Sequence, residues 1–213
     1  MTQTDPFANV LQTVLVAHAA GKPIAICIAG SNGAGKSTFY AQTLKPQLNL
    51  PFVNADEIAK SLLSPITDEL SLTAAVIADE RRNQYLENRQ SFIFETVFSD
   101  IKGEKVAFLK AMQDSGYLVL LVFIGIQSSN VSQARVVGRV LQGGHDVPDE
   151  RIKNRFPQTL TNLKRATMQI ENILLLDNNR ADTPFAPVAV LVNGKPIWIT
   201  DGLLPAWAKQ LDL

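Results

Sequence analysis

The segment Gly30-Ser31-Asn32-Gly33-Ala34-Gly35-Lys36-Ser37-Thr38 reads G-x-x-x-x-G-K-[ST] and follows directly on the apolar run Ile24 to Ala29. A loop of that length, built of small residues, can turn its backbone N–H groups around phosphates while the helix behind it aims its positive end at them. Lys36 then reaches the β- and γ-phosphates, and the Ser37 hydroxyl ligates Mg²⁺. The chemistry implied is the binding of a nucleoside triphosphate, with ATP and Mg²⁺ as the expected pair. An apolar strand before the loop and a helical stretch after it, Ser37 to Leu44, supply the context the mechanism needs. A Gly-rich turn with no ligand is the alternative.

Three further sets of residues have types suited to chemistry. Asn54-Ala55-Asp56-Glu57 follows a short apolar run, and Asp56 at a strand end is placed to orient a substrate hydroxyl and take its proton. The same four residues also resemble a helix capping box, in which Asp56 would favour the positive helix end with no substrate present. Glu95-Thr96 closes Phe92-Ile93-Phe94; Glu95 suits the Mg²⁺ shell or a substrate hydroxyl, with a solvated strand end as the plain alternative. Residues 127–170 concentrate Arg135, Arg139, Arg151, Lys153, Arg155, Lys164 and Arg165. Arg135 and Arg139 are four residues apart on one expected helix, as are Arg151 and Arg155 on the next. Each pair crowds like charge on one face, which a phosphate between the forked guanidinium groups would relieve. Gly143-Gly144-His145 joins the two helices as a hinge, making the segment a lid over the triphosphate. The competing reading is a solvated basic face, which accounts for Lys164 and Arg165 through local acidic partners. His145 is read as a loop residue, His18 as structural, and Asp177-Asn178-Asn179 as a turn.

The elements that must position these groups alternate between strand-like and helical patterns, which implies an α/β fold: a mostly parallel five-stranded sheet flanked by helices. Strands are expected at Ile24 to Ala29, Pro51 to Asn54, Ser91 to Glu95, Tyr117 to Gly125 and Asn172 to Asp177. Helices are expected at Phe7 to Ala20, Gly35 to Lys45, Asp56 to Leu63, Asp68 to Asn88, Lys102 to Ser115, Ser129 to Leu141 and Pro148 to Ile170. Val188 to Val192 and Ile197 to Thr200, separated by Asn193-Gly194-Lys195-Pro196, read as an antiparallel hairpin, either an edge of the sheet or an appendage. One domain spans 1–213, with the lid at about 127–160 and the hairpin region at about 186–213. In such a sheet, ligands lie across the carboxyl ends of the strands, where Asp56 and Glu95 fall.

Composition narrows the partners. The chain has 20 basic and 20 acidic residues, so no global field draws it to nucleic acid or an anionic membrane, and a small molecule carrying a hydroxyl is the expected partner. The longest apolar run, Tyr117 to Ile126, is too short to span a bilayer. Val10 to Ala20 with Ala17-His18-Ala19 loosely mimics an export signal, yet no basic region precedes it. Cys27 is the single cysteine, so neither a disulfide framework nor metal-ligand spacing is present. A cytoplasmic location is expected.

The order G-x-x-G-x-G-K-S-T, N-A-D-E-I, F-I-F-E-T, R-V-x-x-R-V-x-x-G-G-H-x-V-P resembles the zeta-toxin family of P-loop kinases, in its short, single-domain branch, from about Ile24 to Asp177. The resemblance implies phosphorylation of the amino sugar of UDP-N-acetylglucosamine, with Asp56 as base and Arg135 and Arg139 on the transferring phosphate. It also implies Glu95 and Thr96 near the substrate, Lys36 and Ser37 on ATP, and an antitoxin partner that a single chain does not identify. Two other readings fit the same residues: a kinase for another small metabolite, such as a nucleoside or sugar, and an ATP-switched protein-binding module without an acceptor.

Overall fold

Six consecutive apolar residues make β1 (Ile24–Ala29), and all six are buried, as a strand covered by helices on both faces requires. The structure is a computed structural model and describes residues 6–62, 67–141, 147–211 and 213; the expected Gly143-Gly144-His145 hinge and Leu63 lie outside them. β1 pairs in parallel with β3 (Phe92–Thr96) on one side and β4 (Leu118–Gly125) on the other. β2 (Phe52–Val53) lies outside β3, and β5 (Asn172–Asp177) lies outside β4, both parallel. These are the five expected strands, with the second cut to two residues because Asn54 already caps the next helix.

The hairpin is part of the sheet. β6 (Ala186–Val192) runs antiparallel to β5, and β7 (Lys195–Ile199) antiparallel to β6, giving the order β2-β3-β1-β4-β5-β6-β7. β6 begins earlier than its apolar run suggests because its pairing follows β5 to its end, where Asp177 faces Ala186. The tight turn at Asn193-Gly194 has φ 51° and 74°, the left-handed pair a two-residue hairpin needs.

The helices are α1 (Pro6–Ala19), α2 (Lys36–Phe39), α3 (Ala55–Leu62), α4 (Asp68–Glu87), α5 (Glu104–Asp114), α6 (Ser129–Val140) and α7 (Asp149–Thr167). α2 runs on as a π-helical turn, Tyr40–Leu44, where a plain α-helix to Lys45 was expected. The period-2 alternation of β1 divides the core into two layers. Ala25, Cys27 and Ala29 pack with residues of α3, α4, α5 and α7, whereas Ile24, Ile26 and Ile28 pack with residues of α1 and α2. Cys27 is a core residue; burial pushes its thiol up to about 12, out of reach of nucleophilic chemistry at neutral pH.

The segment after β3 hangs from α7. Asn162, fully buried, donates through Nδ2 to the carbonyls of Phe98 (3.0 Å) and Asp100 (2.7 Å), and Thr159 donates to the carbonyl of Val97 at 3.0 Å. Arg165 adds bonds to the Ile101 carbonyl at 3.0 Å and to Asn162 Oδ1 at 2.9 Å, so this arginine is structural, held by neutral acceptors where local acidic partners were expected. Asn162→Ala strands two carbonyls at a loop that lines the cleft described next, and should lower stability by about 2 kcal/mol in urea unfolding. A loss under 0.5 kcal/mol would show that this latch does not hold the loop.

Candidate active site

The phosphate loop is held by its carbonyls. Lys36 Nζ donates to the carbonyls of Gly30 and Ser31, each at 3.0 Å. Ser132 Oγ donates to the Asn32 carbonyl at 2.5 Å, Arg135 to the Gly33 carbonyl at 3.4 Å, and Asn178 Nδ2 to the Ala34 carbonyl at 2.9 Å. Five successive carbonyls are thus engaged by side-chain donors. Because a trans peptide sets N–H opposite C=O, a carbonyl fixed in one direction turns the next N–H the other way; the Ala34 N–H closes the loop on the Ser31 carbonyl at 3.2 Å. Gly35 enters α2 at φ 94°, and a Cβ there would meet Asn178 Nδ2 at 2.6 Å. Gly33, at φ 69°, has α6 so close that a Cβ would lie 3.0 Å from the Ser132 carbonyl.

A cleft of about 860 Å³ opens from this loop, within the size range of small-ligand sites. Of the residues expected from the sequence, Asn32, Gly33, Gly35, Lys36, Ser37, Thr38, Asp56, Glu95, Thr96, Arg135, Arg139, Arg151 and Arg155 all line it. Gly30, Ser31 and Ala34 do not; they shape the loop from behind, Ser31 and Ala34 being buried.

Asn54 resolves the two readings of the second strand's end into two residues. Its Oδ1 accepts from the backbone N–H of Asp56 (2.7 Å) and of Glu57 (3.3 Å), so Asn54 caps α3. Asp56 has its carboxylate half-exposed in the cleft, with Arg139 NH1 at 3.9 Å. The two arginines of α6 divide their work in the same way. Arg135 bonds the Asn178 carbonyl at 2.6 Å as well as that of Gly33, clamping α6 and the end of β5 to the loop, while Arg139 faces Asp56. On α7, Arg151 and Arg155 lie near each other; burial, then Arg151, lower the Arg155 pKa, with Asp56 opposing.

The Ser37 hydroxyl donates to Glu95 Oε2 at 2.9 Å. A hydroxyl and a carboxylate side by side are the hard oxygen donors Mg²⁺ takes, and a Mg²⁺ held by so few protein oxygens keeps phosphate and water in its remaining positions. Burial lifts the Glu95 pKa above the usual carboxylate range, against the pull of Lys36 and of the Ser37 hydrogen bond. Burial also lowers the Lys36 pKa, against Glu95 and Asp56.

The charged cleft residues that escape sequence reasoning are Asp79 and Arg82 on α4, Asp100 in the segment after β3, and Lys105 on α5. The signal was the stripe Ala74, Ala78, Arg82, a buried face of small residues ending in a cation that is itself only 6% exposed. Ser132 and Asn178, which join Arg135 as donors to the loop from outside it, carry no such signal. Asp177 is structural: its Oδ1 accepts from Trp207 Nε1 at 2.7 Å.

A family model described as zeta toxin matches residues 8–185. The chain belongs to the zeta toxin family. A protein of Haemophilus influenzae without a characterised function is 26% identical to this zeta-toxin family chain over 133 residues, covering 62% of it and 91% of the relative. Among solved structures, AvrRxo1-ORF1:-ORF2 with ATP superposes with a TM-score of 0.66 at 16% identity, over 84% of this chain and 61% of the other. The chain therefore spans less than two thirds of that structure's length. The PezAT chromosomal toxin–antitoxin system of Streptococcus pneumoniae superposes at 0.58 and 16% identity, over 98% of this chain and 87% of the other. The fold is that of P-loop kinases, and family and fold together support ATP-dependent kinase activity. No helix among the described residues is long and apolar enough to cross a membrane.

The raised Glu95 pKa has a thermodynamic consequence. A carboxyl held above its unfolded value stabilises the folded chain while protonated, and that contribution is lost as pH rises through the folded value. Glu95→Gln should therefore raise the melting temperature of the metal-free protein by a few degrees at pH 7, with the gain vanishing below the ordinary carboxylate value. The same variant should lose most of the stabilisation Mg²⁺ adds in the presence of ATP. Melting curves without and with the cation at both pH values check this, and an unchanged Mg²⁺ response would remove Glu95 from the metal shell.

Proposed function

We propose that this protein transfers the γ-phosphoryl group of ATP to a hydroxyl of a small molecule. The observation that carries the reading is Asp56: a carboxylate freed from capping by Asn54, set in the same cleft as Lys36 and Ser37 and facing Arg139. In the reaction, the acceptor oxygen forms a bond to the γ-phosphorus as the bond from that phosphorus to the β–γ bridging oxygen breaks. ADP departs and the hydroxyl proton passes to Asp56. Lys36 exchanges its loop carbonyls for phosphate oxygens, and Arg139, with Arg151, neutralises charge on the transferring group. Ser37 and Glu95 would hold Mg²⁺, whose charge would stabilise the negative charge that builds on the leaving oxygen of ADP. Thr96, beside Glu95 at the end of β3, would hydrogen-bond the acceptor; its position in the cleft lining supports this role.

Family membership supports UDP-N-acetylglucosamine as the first acceptor to test and the cytoplasm, where ATP is abundant, as the place of action. It also makes an antitoxin-like protein that covers the cleft the partner to seek, since PezAT is a toxin–antitoxin system.

The deciding assay incubates the protein with Mg²⁺ and γ-labelled ATP against UDP-N-acetylglucosamine, other nucleotide sugars, nucleosides and simple sugars, and follows each product by mass. Asp56→Ala should cut transfer by about 10²- to 10⁴-fold with ATP affinity nearly intact. Loss of ATP affinity in that variant would assign Asp56 to nucleotide or metal binding. Lys36→Met should abolish both binding and transfer, and turnover at the unaltered rate would overturn the role of the phosphate loop.

A further inference from the structure

After β7 the chain returns to the sheet and sets Trp207 against the carboxyl ends of β4 and β5. The indole is 2% exposed, packs near Phe123 at 5.5 Å between ring centres, and lies so close on the backbone of Gly125 that a Cβ there would collide with the ring. Gly125 is the last residue of β4, and its carbonyl accepts the backbone N–H of Asn178 at 3.0 Å. A buried indole N–H needs an acceptor, and Trp207 Nε1 finds it in Oδ1 of Asp177, the last residue of β5, at 2.7 Å. One side chain from the far end of the chain thus meets both strand ends beside the phosphate loop.

The Asp177 carboxylate ties together the two segments from which the loop is held. Its Oδ2 accepts the Asn179 backbone N–H at 3.2 Å and its Oδ1 accepts Asn179 Nδ2 at 2.5 Å, an Asx-type turn that fixes the direction in which the chain leaves β5. Asn179 Oδ1 in turn accepts the backbone N–H of Gln127 at 2.6 Å, one residue before Ser128, which caps α6. Asn178 belongs to the first of these segments, and Ser132 and Arg135 to the helix that the second begins. Those are the donors that reach the Ala34, Asn32 and Gly33 carbonyls from outside the loop. Trp207, Asp177 and Asn179 stand outside the cleft lining, so whatever they do for a ligand they do through the loop.

We propose that Trp207 is a positioning residue for nucleotide binding: through Asp177 it fixes Asn178 and the start of α6, and through them the carbonyls of the phosphate loop. This inference rests on the reading of the cleft as an ATP site and makes no use of the acceptor. Without the indole donor the Asp177 carboxylate is free to turn away, and the Asx-type turn relaxes with it. The loop then samples more conformations before nucleotide binds, and ordering it costs part of the binding free energy.

The test is a calorimetric titration with the β,γ-imido analogue of ATP and Mg²⁺, at a temperature where melting curves show each variant folded. Trp207→Phe keeps a ring over Gly125 and removes the donor; it should weaken binding about 10-fold, the worth of one hydrogen bond to a charged group. Asp177→Asn leaves the buried indole its acceptor but turns an N–H donor towards the Asn179 N–H. It should weaken binding similarly, and it keeps the test open where loss of the indole unfolds the chain. In an Asn178→Ala background Trp207→Phe should add little, because both act through the same contacts. Leu211→Ala truncates a buried residue of the same segment whose side chain carries no hydrogen-bonding group; it should lower the melting temperature and leave the affinity unchanged. Unaltered affinity in Trp207→Phe or Asp177→Asn overturns the inference, as does full additivity with Asn178→Ala or equal weakening in Leu211→Ala. Each of these defeats the inference alone. An unaltered protein that fails to bind the analogue defeats the ATP reading, and the inference with it.

Discussion

The cleft depends on the direction in which five peptide carbonyls point. From Gly30 to Ala34 each carbonyl meets a donor from a side chain: Lys36 takes two, and Ser132, Arg135 and Asn178 take one each. A loop of small residues has many conformations of similar energy, so only an imposed set of partners gives it one. The donors come from α2, from α6 and from the end of β5, so closure of the phosphate site is a property of the packed sheet. Arg135 belongs to this scaffold as much as to the lid, because its guanidinium spans the loop and the Asn178 carbonyl.

The remaining groups inherit their roles from that frame. β3 pairs with β1 so that Glu95 sits opposite Ile28, which brings its carboxylate to the Ser37 hydroxyl, and β2 beside β3 brings Asn54 to the same rim. Asn54 spends its side chain on the orphan N–H groups of α3, and for that reason Asp56 remains available to a substrate. The α4 stripe of Ala74 and Ala78 lets Arg82 come close enough to stack near Phe94, converting a helix that reads as unremarkable support into one wall of the cleft. α7 joins the two halves: its first turns carry Arg151 and Arg155 into the cleft, and its later turns hold the loop after β3 through Thr159 and Asn162.

Much of this was legible in the residues themselves. The phosphate loop, the parallel strands, Asp56, Glu95 and the arginines of α6 and α7 announce themselves because local spacing encodes them: a loop fingerprint, short continuous apolar runs and charges four apart on a helix. The distinction between Asn54 as cap and Asp56 as cleft carboxylate was not legible, since both side chains suit a helix start and only the hydrogen-bond geometry assigns them. Nor was the division between Arg135 and Arg139, which are one turn apart and differ only in what the neighbouring elements present to each.

What the sequence determined by itself is the nucleotide chemistry, because a phosphate loop is a contiguous stretch whose function follows from its own backbone and from two side chains within it. Tertiary structure alone decided which charged groups share the far end of the cleft. Asp79, Arg82 and Lys105 lie on two different helices, and their convergence on one carboxylate oxygen follows from how α4 and α5 pack over the sheet. No local pattern records it. The hairpin obeys the same division: its turn is written in Asn193-Gly194, but its place as the sheet edge follows from the unpaired side of β5, a hydrogen-bonding demand that only the assembled sheet creates.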